Sequence, residues 1–248
     1  MAHWRHVHRP SVDSTNALLL RAAHNGENDG LWLTADEQTQ GRGRRGRVWN
    51  SPVGNLHASL LLIDPAPTDA IGSFPLAMAL AAHDSIQSCL SDQADVKIKW
   101  PNDILVGGAK ICGLLAESAY LADGRRAIIA GFGANVAAAP PDTPYPATSL
   151  AASGGHADAQ TLFLVLAQAV QTVLTKWDRG RNIETIRAQW LDHAAGIGQR
   201  VSVQVQGSTQ VGVFETLDEL GHMVLLRDDG TRSHISAGDV FFEELMTG

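Results

Sequence analysis

Val96-Lys97-Ile98-Lys99-Trp100 alternates apolar and polar positions without a break, the period-two pattern of a strand with one wet face. Leu31-Trp32-Leu33-Thr34-Ala35 predicts another strand, left through the polar run Asp36 to Gln40. Leu56 to Ile63 is apolar enough for a central strand, and Ala127 to Phe132 reads the same way. Pro101-Asn102-Asp103 turns the chain, Ile104-Leu105-Val106 resumes it, and Gly107-Gly108 signals a hairpin to a returning strand, Lys110 to Glu117. Helical stretches are predicted where polar capping residues precede good helix formers. Asp13-Ser14-Thr15-Asn16 opens one that ends near Gly26. Ser73 to Leu90 is a second, with Pro75 in its first turn, and Thr161 to Trp177 and Ile183 to Ala194 follow a Pro/Ala/Ser-rich loop from Pro140 to Ser153.

From Gln199 the pattern changes. Five short runs around Val201–Val205, Val211–Phe214, Met223–Leu226, Arg232–Ile235 and Val240–Phe242 are separated by Gly/Asp turns, with no helical period between them. Fifty residues of this kind predict a small barrel. The expected boundary lies near Gly196 to Gln199, giving domains 1–197 and 198–248.

Composition narrows the class. The chain has 248 residues, 44% hydrophobic and 18% charged, enough apolar mass for a substantial core. Its net charge of −7 argues against a surface that attracts nucleic acid. Two distant cysteines, Cys89 and Cys112, exclude a disulfide scaffold and suit a reducing cytoplasm. The first residues lack the apolar run of a signal peptide, and no window has the apolar length of a membrane span.

Charge also singles out one stretch. Gly41-Arg42-Gly43-Arg44-Arg45-Gly46-Arg47 holds four of the 19 basic residues in seven positions. Arginine forks suit phosphate and carboxylate oxygens, and glycine lets the backbone approach a ligand. With no hydrophobic residue to anchor it, the segment is expected to be a mobile cationic flap, least ordered when no anion is bound. Three chemistries compete for it. Gly41-x-Gly43-x-x-Gly46 matches a dinucleotide fingerprint formally, but Arg47-Val48-Trp49-Asn50-Ser51-Pro52 is no helix. Gly107 to Ile111 lacks the spacing and the Ser/Thr of a P-loop. An Arg/Gly nucleic-acid patch would be longer and joined to stacking aromatics. The third reading is an internal nucleotide site, in which Asp103 is a candidate Mg²⁺ or ribose ligand sharing its hairpin with Lys110, and Asn135 follows Gly131-x-Gly133 at a strand end. His3, His6 and His8 near the start could pair on zinc, but no further ligand sits nearby, so they read as polar positions on a first strand.

Taken in order, these segments resemble the biotin protein ligases. The resemblance covers most of the chain and rests on several motifs. They are Ser14-Thr15-Asn16; Gln38 with Gly41 to Arg47 and Trp49; Asn55-Leu56 with Ser59; Lys99-Trp100-Pro101-Asn102-Asp103; Lys110-x-x-Gly113-x-Leu115-x-Glu117; and Gly131-x-Gly133-x-Asn135. It implies an α+β fold, a mixed sheet backed by helices of the class II aminoacyl-tRNA-synthetase-like kind, followed by an SH3-like barrel. It implies the short type without an N-terminal DNA-binding domain, because Ser14-Thr15-Asn16 comes so early.

The implied chemistry joins biotin to ATP as biotinyl-5′-adenylate, then transfers biotin to a lysine of a biotin carboxyl carrier domain. Arg44 and Lys110 are the implied catalytic residues. Ser14, Thr15, Asn16, Gln38, Arg42, Gly43, Arg44, Lys110 and Gly113 are the implied biotin site. Arg42, Arg44, Arg45, Trp49, Asn102, Asp103, Lys110 and Asn135 are the implied ATP site, with Mg²⁺ on Asp103. The expected partner is a carrier protein of a biotin-dependent carboxylase, not DNA or a membrane, and the chain is expected as a monomer or homodimer. A lipoate or octanoate ligase of related fold is the nearest competing enzyme. It lacks the full Arg/Gly flap, and its slender substrate has no ureido group for Ser14, Thr15 and Asn16.

Overall fold

The structure, a computed structural model, describes residues 4–205 and 207–242. His3 therefore lies outside the described residues. The first and larger part is built from β1 (Arg5–Val12), α1 (Thr15–His24), β2 (Leu31–Gln38), β3 (Leu56–Ile63), α2 (Phe74–Ser88), β4 (Val96–Lys99), β5 (Asp103–Val106), β6 (Ala109–Tyr120), β7 (Arg126–Ala134), α3 (Ala159–Trp177) and α4 (Ile183–Asp192). Its seven strands form one mixed sheet in the order β1-β2-β3-β7-β6-β5-β4. Only β1 and β2 are parallel, joined by α1 as a crossover, and the other neighbours run antiparallel.

Side-chain alternation assigns the two faces of the sheet. One face, with Leu60, Leu62, Ile128, Ala130, Phe132 and Cys112, packs against α2 and α3 in the main core. Eleven of the fifteen residues of α2 are buried, as befits a helix covered on several sides. The other face carries Leu31, Leu33, Leu61, Ala127 and Ile129 against Leu19 and Ala23 of α1. At ten residues α1 is too short to be stable alone. Its core contact, each fully buried leucine contributing about 1.5–3 kcal/mol, and its Ser14 cap hold it in place.

Two sequence expectations are adjusted. β2 runs to Gln38 through the polar residues expected to leave it, because Ser11 and Val12 of β1 pair with Glu37 and Gln38. His6 and His8 do occupy polar positions of β1, with ring nitrogens 2.8 and 3.0 Å from the Thr34 hydroxyl. The five C-terminal strands are all present: β8 (Arg200–Val205), β9 (Ser208–Leu217), β10 (Met223–Leu226), β11 (Arg232–Ile235) and β12 (Asp239–Phe242). They form an antiparallel sheet ordered β11-β10-β9-β8-β12. Among the described residues β11 and β12 do not pair, so the expected barrel is not closed by hydrogen bonds. Phe214, Leu217, Met223 and Val240 of this sheet join the main core. Gly221, at φ 80°, abuts Leu76, and its carbonyl accepts the Trp100 indole N–H at 3.3 Å.

Candidate active site

The site begins where the α1 face of the sheet runs out of helix. Along β7 the residues on this face are Ala127, Ile129, Gly131 and Gly133, so the side chains vanish just past the helix. Gly113 of β6 pairs with Gly133 and extends the bare floor. A Cβ on Gly131 would lie 2.2 Å from Asn16 Oδ1, and one on Gly133 would lie 2.5 Å from the Trp49 indole. A Cβ on Gly113 would press on both Trp49 and Lys110 at 3.2 Å. The three glycines let side chains from neighbouring loops lie directly on the backbone.

At one end the start of α1 makes a buried polar array. Gln38 Oε1 accepts from the Thr15 backbone N–H at 2.8 Å and from Thr15 Oγ1 at 3.0 Å. Ser59 Oγ lies 2.7 Å from Thr15 Oγ1 and 2.6 Å from Asn16 Oδ1. Three short oxygen–oxygen contacts are thus served by two hydroxyl protons, and the array is rich in acceptors. Asn16 Nδ2 donates to Glu117 Oε2 at 2.8 Å, and Arg42 stands 3.7 Å from the other Glu117 oxygen. Ser14, Thr15, Asn16 and Ser59 are all buried.

The other end is cationic. Lys110 Nζ lies 2.7 Å from Asp103 Oδ1, between the rings of Trp49 and Tyr145 at 5.5 and 5.4 Å. The Arg/Gly segment folds over this end as a short 3₁₀ turn, Arg44–Gly46, closed by the Arg42–Val48 bridge, with Arg45 at φ 56°. The expectation that nothing anchors it is corrected: its anchors are polar. Arg44 donates to Asn102 Oδ1 at 3.1 Å and to the Gly238 carbonyl at 3.4 Å. Arg45 and Arg47 both bind the Asp239 carboxylate of β12. Burial pulls Arg44 below the ordinary guanidinium value, opposed by Asp239 and Asp103, and it stays a cation.

Of the fourteen side chains and glycines singled out from sequence, all but Arg45 line one cavity of about 610 Å³. Arg45 lies outside that lining, turned to Asp239 and the Gln204 carbonyl. Trp49, expected to stack on a base, lies over the glycine floor, and its buried Nε1 has no protein partner. The Asn135 amide donates to the Thr148 carbonyl at 3.0 Å. Ser59 and Glu117 stood in the motifs without a role, and both prove to be connectors of the polar array. Tyr145 and Asp239 carried no local signal: each reaches the cavity from a distant segment.

Comparisons with known proteins find relatives of both parts of the chain. The model of the Biotin/lipoate A/B protein ligase family matches residues 9–135, and that of the Biotin protein ligase C terminal domain matches residues 196–243. A biotin--[acetyl-CoA-carboxylase] ligase of Paracoccus denitrificans is 35% identical over 237 residues, covering 93% of this chain and 98% of its own length. The protein of the same name from Mycobacterium tuberculosis is 36% identical over 235 residues, covering 92% and 85%. The solved biotin protein ligase from Aquifex aeolicus in complex with biotin and ATP superimposes with a TM-score of 0.80 at 26% identity, covering 96% of this chain and 97% of that one.

Proposed function

This chain belongs to the biotin/lipoate A/B protein ligase family, and from that premise we propose that it activates biotin with ATP and transfers it to a lysine of a carboxyl carrier domain. The carrying observation is the shared cavity: an acceptor-rich neutral end and a cationic end face each other across about 610 Å³, the size range of small-molecule sites.

The acceptor-rich end suits the two N–H donors of a ureido ring. Ser14, Thr15, Asn16 and Gln38 take that role, with Ser59 and Glu117 holding them. Gly113, Gly131 and Gly133 give the fused rings and valeryl chain a floor. In the first step a biotin carboxylate oxygen attacks the α-phosphorus of ATP, the bond to the β-phosphate oxygen breaks, and pyrophosphate leaves with the electron pair. Anion approaches anion, so positive charge must be waiting where negative charge collects. Lys110, Arg42, Gly43 and Arg44 meet the carboxylate and α-phosphate, while Arg45, Asn102 and Asp103 serve the nucleotide side. Trp49 swings off the glycine floor to stack on adenine, and Asn135 reads its edge. In the second step the acceptor ε-amine attacks the acyl carbon and AMP leaves. No protein side chain becomes a covalent nucleophile.

Mg²⁺ fits this arrangement through Asp103. One of its oxygens is on Lys110, and a single carboxylate plus substrate phosphates is a usual Mg²⁺ environment. The ion would neutralise phosphate charge; among the described residues no group of three ligands is assembled there.

The proposal places the domain division at 197/198 and takes the carrier as the acetyl-CoA carboxylase type named in the relatives. It includes a monomer or a homodimer. Beyond Gly113, β6 pairs only with β7 among the described residues, leaving an edge that a second copy could extend. No helix among the described residues is long and apolar enough to cross a membrane.

The test is one reaction with ATP, Mg²⁺ and a carrier domain, run once with biotin and once with lipoate, and read by acceptor mass. One added biotin and no lipoate is expected. Lipoylation, or no modification, would overturn the reading.

A further inference from the structure

On the helix-covered side of the first sheet, the C-terminal half of α2 meets the residue that follows α4. His83 and Asp84 come from α2, and His193 ends α4. One ring nitrogen of each histidine and one carboxylate oxygen of Asp84 all lie within 4.8 Å of one another. The segment that carries His193 is held by its backbone. The His193 carbonyl accepts from the Ile98 N–H of β4 at 2.8 Å, and the Ala195 N–H donates to the Ile98 carbonyl at 2.9 Å. None of the three residues lines the active-site cavity.

His83 is 3% exposed, and both of its ring nitrogens face oxygen: Nδ1 lies 3.0 Å from Asp84 Oδ1, and Nε2 lies 3.3 Å from the Val96 carbonyl. Both oxygens are acceptors, and a neutral imidazole carries one proton. Whichever nitrogen holds it, the other sets a lone pair against an oxygen lone pair. A second proton would put a charged ring in a buried place, stacked on the His193 ring with centroids 4.0 Å apart. A divalent cation between Nδ1 and Asp84 removes the conflict without that proton. It accepts both lone pairs, and Nε2–H on the Val96 carbonyl becomes the outer contact that orients a metal-bound histidine. The half-buried His193 ring makes no hydrogen bond among the described residues, so it has a nitrogen to give. Of the other charges nearby, Asp192 favours a cation here and Lys97 opposes it.

We propose that His83, Asp84 and His193 bind a divalent transition metal, with Zn²⁺ the best match to the ligand set, and that the ion clamps α2 to the end of α4. Two imidazoles, one carboxylate and a water make a four-coordinate zinc shell. Mg²⁺ and Ca²⁺, which take oxygen ligands, suit it poorly. Ligand atoms about 2.0–2.1 Å from a tetrahedral zinc are about 3.3 Å from one another, so the group must contract. Asp84, with its side chain 49% exposed, and the half-buried His193 are the members with room to turn. The His193 ring tilts out of the stack, while the enclosed His83 stays in place. Through the backbone bonds to Ile98 the clamp reaches β4, just before the chain leaves for the second sheet. The site is separate from the adenylation chemistry proposed above and does not depend on it.

Zn²⁺ titration of the full, untagged, chelator-stripped chain without nucleotide, in competition with a chromophoric chelator, tests this. One ion per chain, bound more tightly than about 10 µM, is expected. Free Zn²⁺ a hundredfold above the dissociation constant should raise the melting temperature by about 5–10 °C. Asp84→Asn and His193→Ala should each weaken binding by about tenfold or more, and should melt like wild type in chelator. Asp84 is half exposed, so its variant keeps the test open should His193→Ala fail to fold. Two other histidine groups can compete for zinc: His6 and His8 beside Asp36, and His222 and His234 on Asp218. His8→Gln and His234→Gln should leave the affinity unchanged. Binding no tighter than about 10 µM would overturn the site. So would an unchanged affinity in either folded variant of the three ligands, or an affinity lost with His8→Gln or His234→Gln instead.

Discussion

Lys110 illustrates how much of a role depends on neighbours two strands away. In sequence it is one lysine after a Gly-Gly turn, and locally a surface hairpin residue. In the fold its ammonium is fixed by Asp103 and two aromatic rings and aimed over Gly113. Lys110→Ala should abolish adenylate formation, a loss of about a hundredfold or more for removing one preorganised charge. Pyrophosphate released at the wild-type rate from biotin and ATP would contradict this. Ser14, Thr15, Asn16 and Gln38 were singled out together by the family resemblance, and the fold brings them to one cavity. Asp239 was not, because an aspartate in a Gly-Asp turn looks like any other until the fold brings three arginines alongside.

At the scale of elements, the Arg/Gly segment and β7 divide the work. β7 was readable as a strand from its apolar run, and its glycines signalled close approach. That they form a floor follows only from register, which sets Gly133 beside Gly113. The segment was readable as cationic and set between strands, but not as pinned: Arg44 ties it to the Asn102 turn and to the C-terminal sheet at once. Arg44→Gly removes both ties. That variant should still form some adenylate but release it, so that lysines on bystander proteins become biotinylated. Equal labelling selectivity and equal retention of the intermediate in variant and wild type would refute it.

For the whole molecule, the pattern of runs and turns disclosed the strands and α-helices of the described residues, while the short 3₁₀ turn in the Arg/Gly segment and the closure and packing of the last five strands lay beyond it. Whole-molecule stability should also depend on pH. Burial holds His57 below its ordinary value of 6.5, and the same cause lowers His6 and His193. As pH falls through 6.5 the unfolded chain takes up protons that the native rings resist. The stabilisation is therefore complete above that value and declines below it, by at most about 1.4 kcal/mol per pH unit for one such group. Melting temperature should fall from pH 7 to pH 5, and less steeply in His57→Gln; parallel slopes would show that His57 does not contribute. The Arg45 and Arg47 contacts to Asp239 have a consequence in time as well. They span 194 and 192 residues, so a ribosome adding about 5–20 residues per second needs roughly 10–40 s between making those arginines and making their partner. Throughout that interval the nascent chain carries these two charges without Asp239, and the loop takes its final shape only after translation of the second sheet is nearly done.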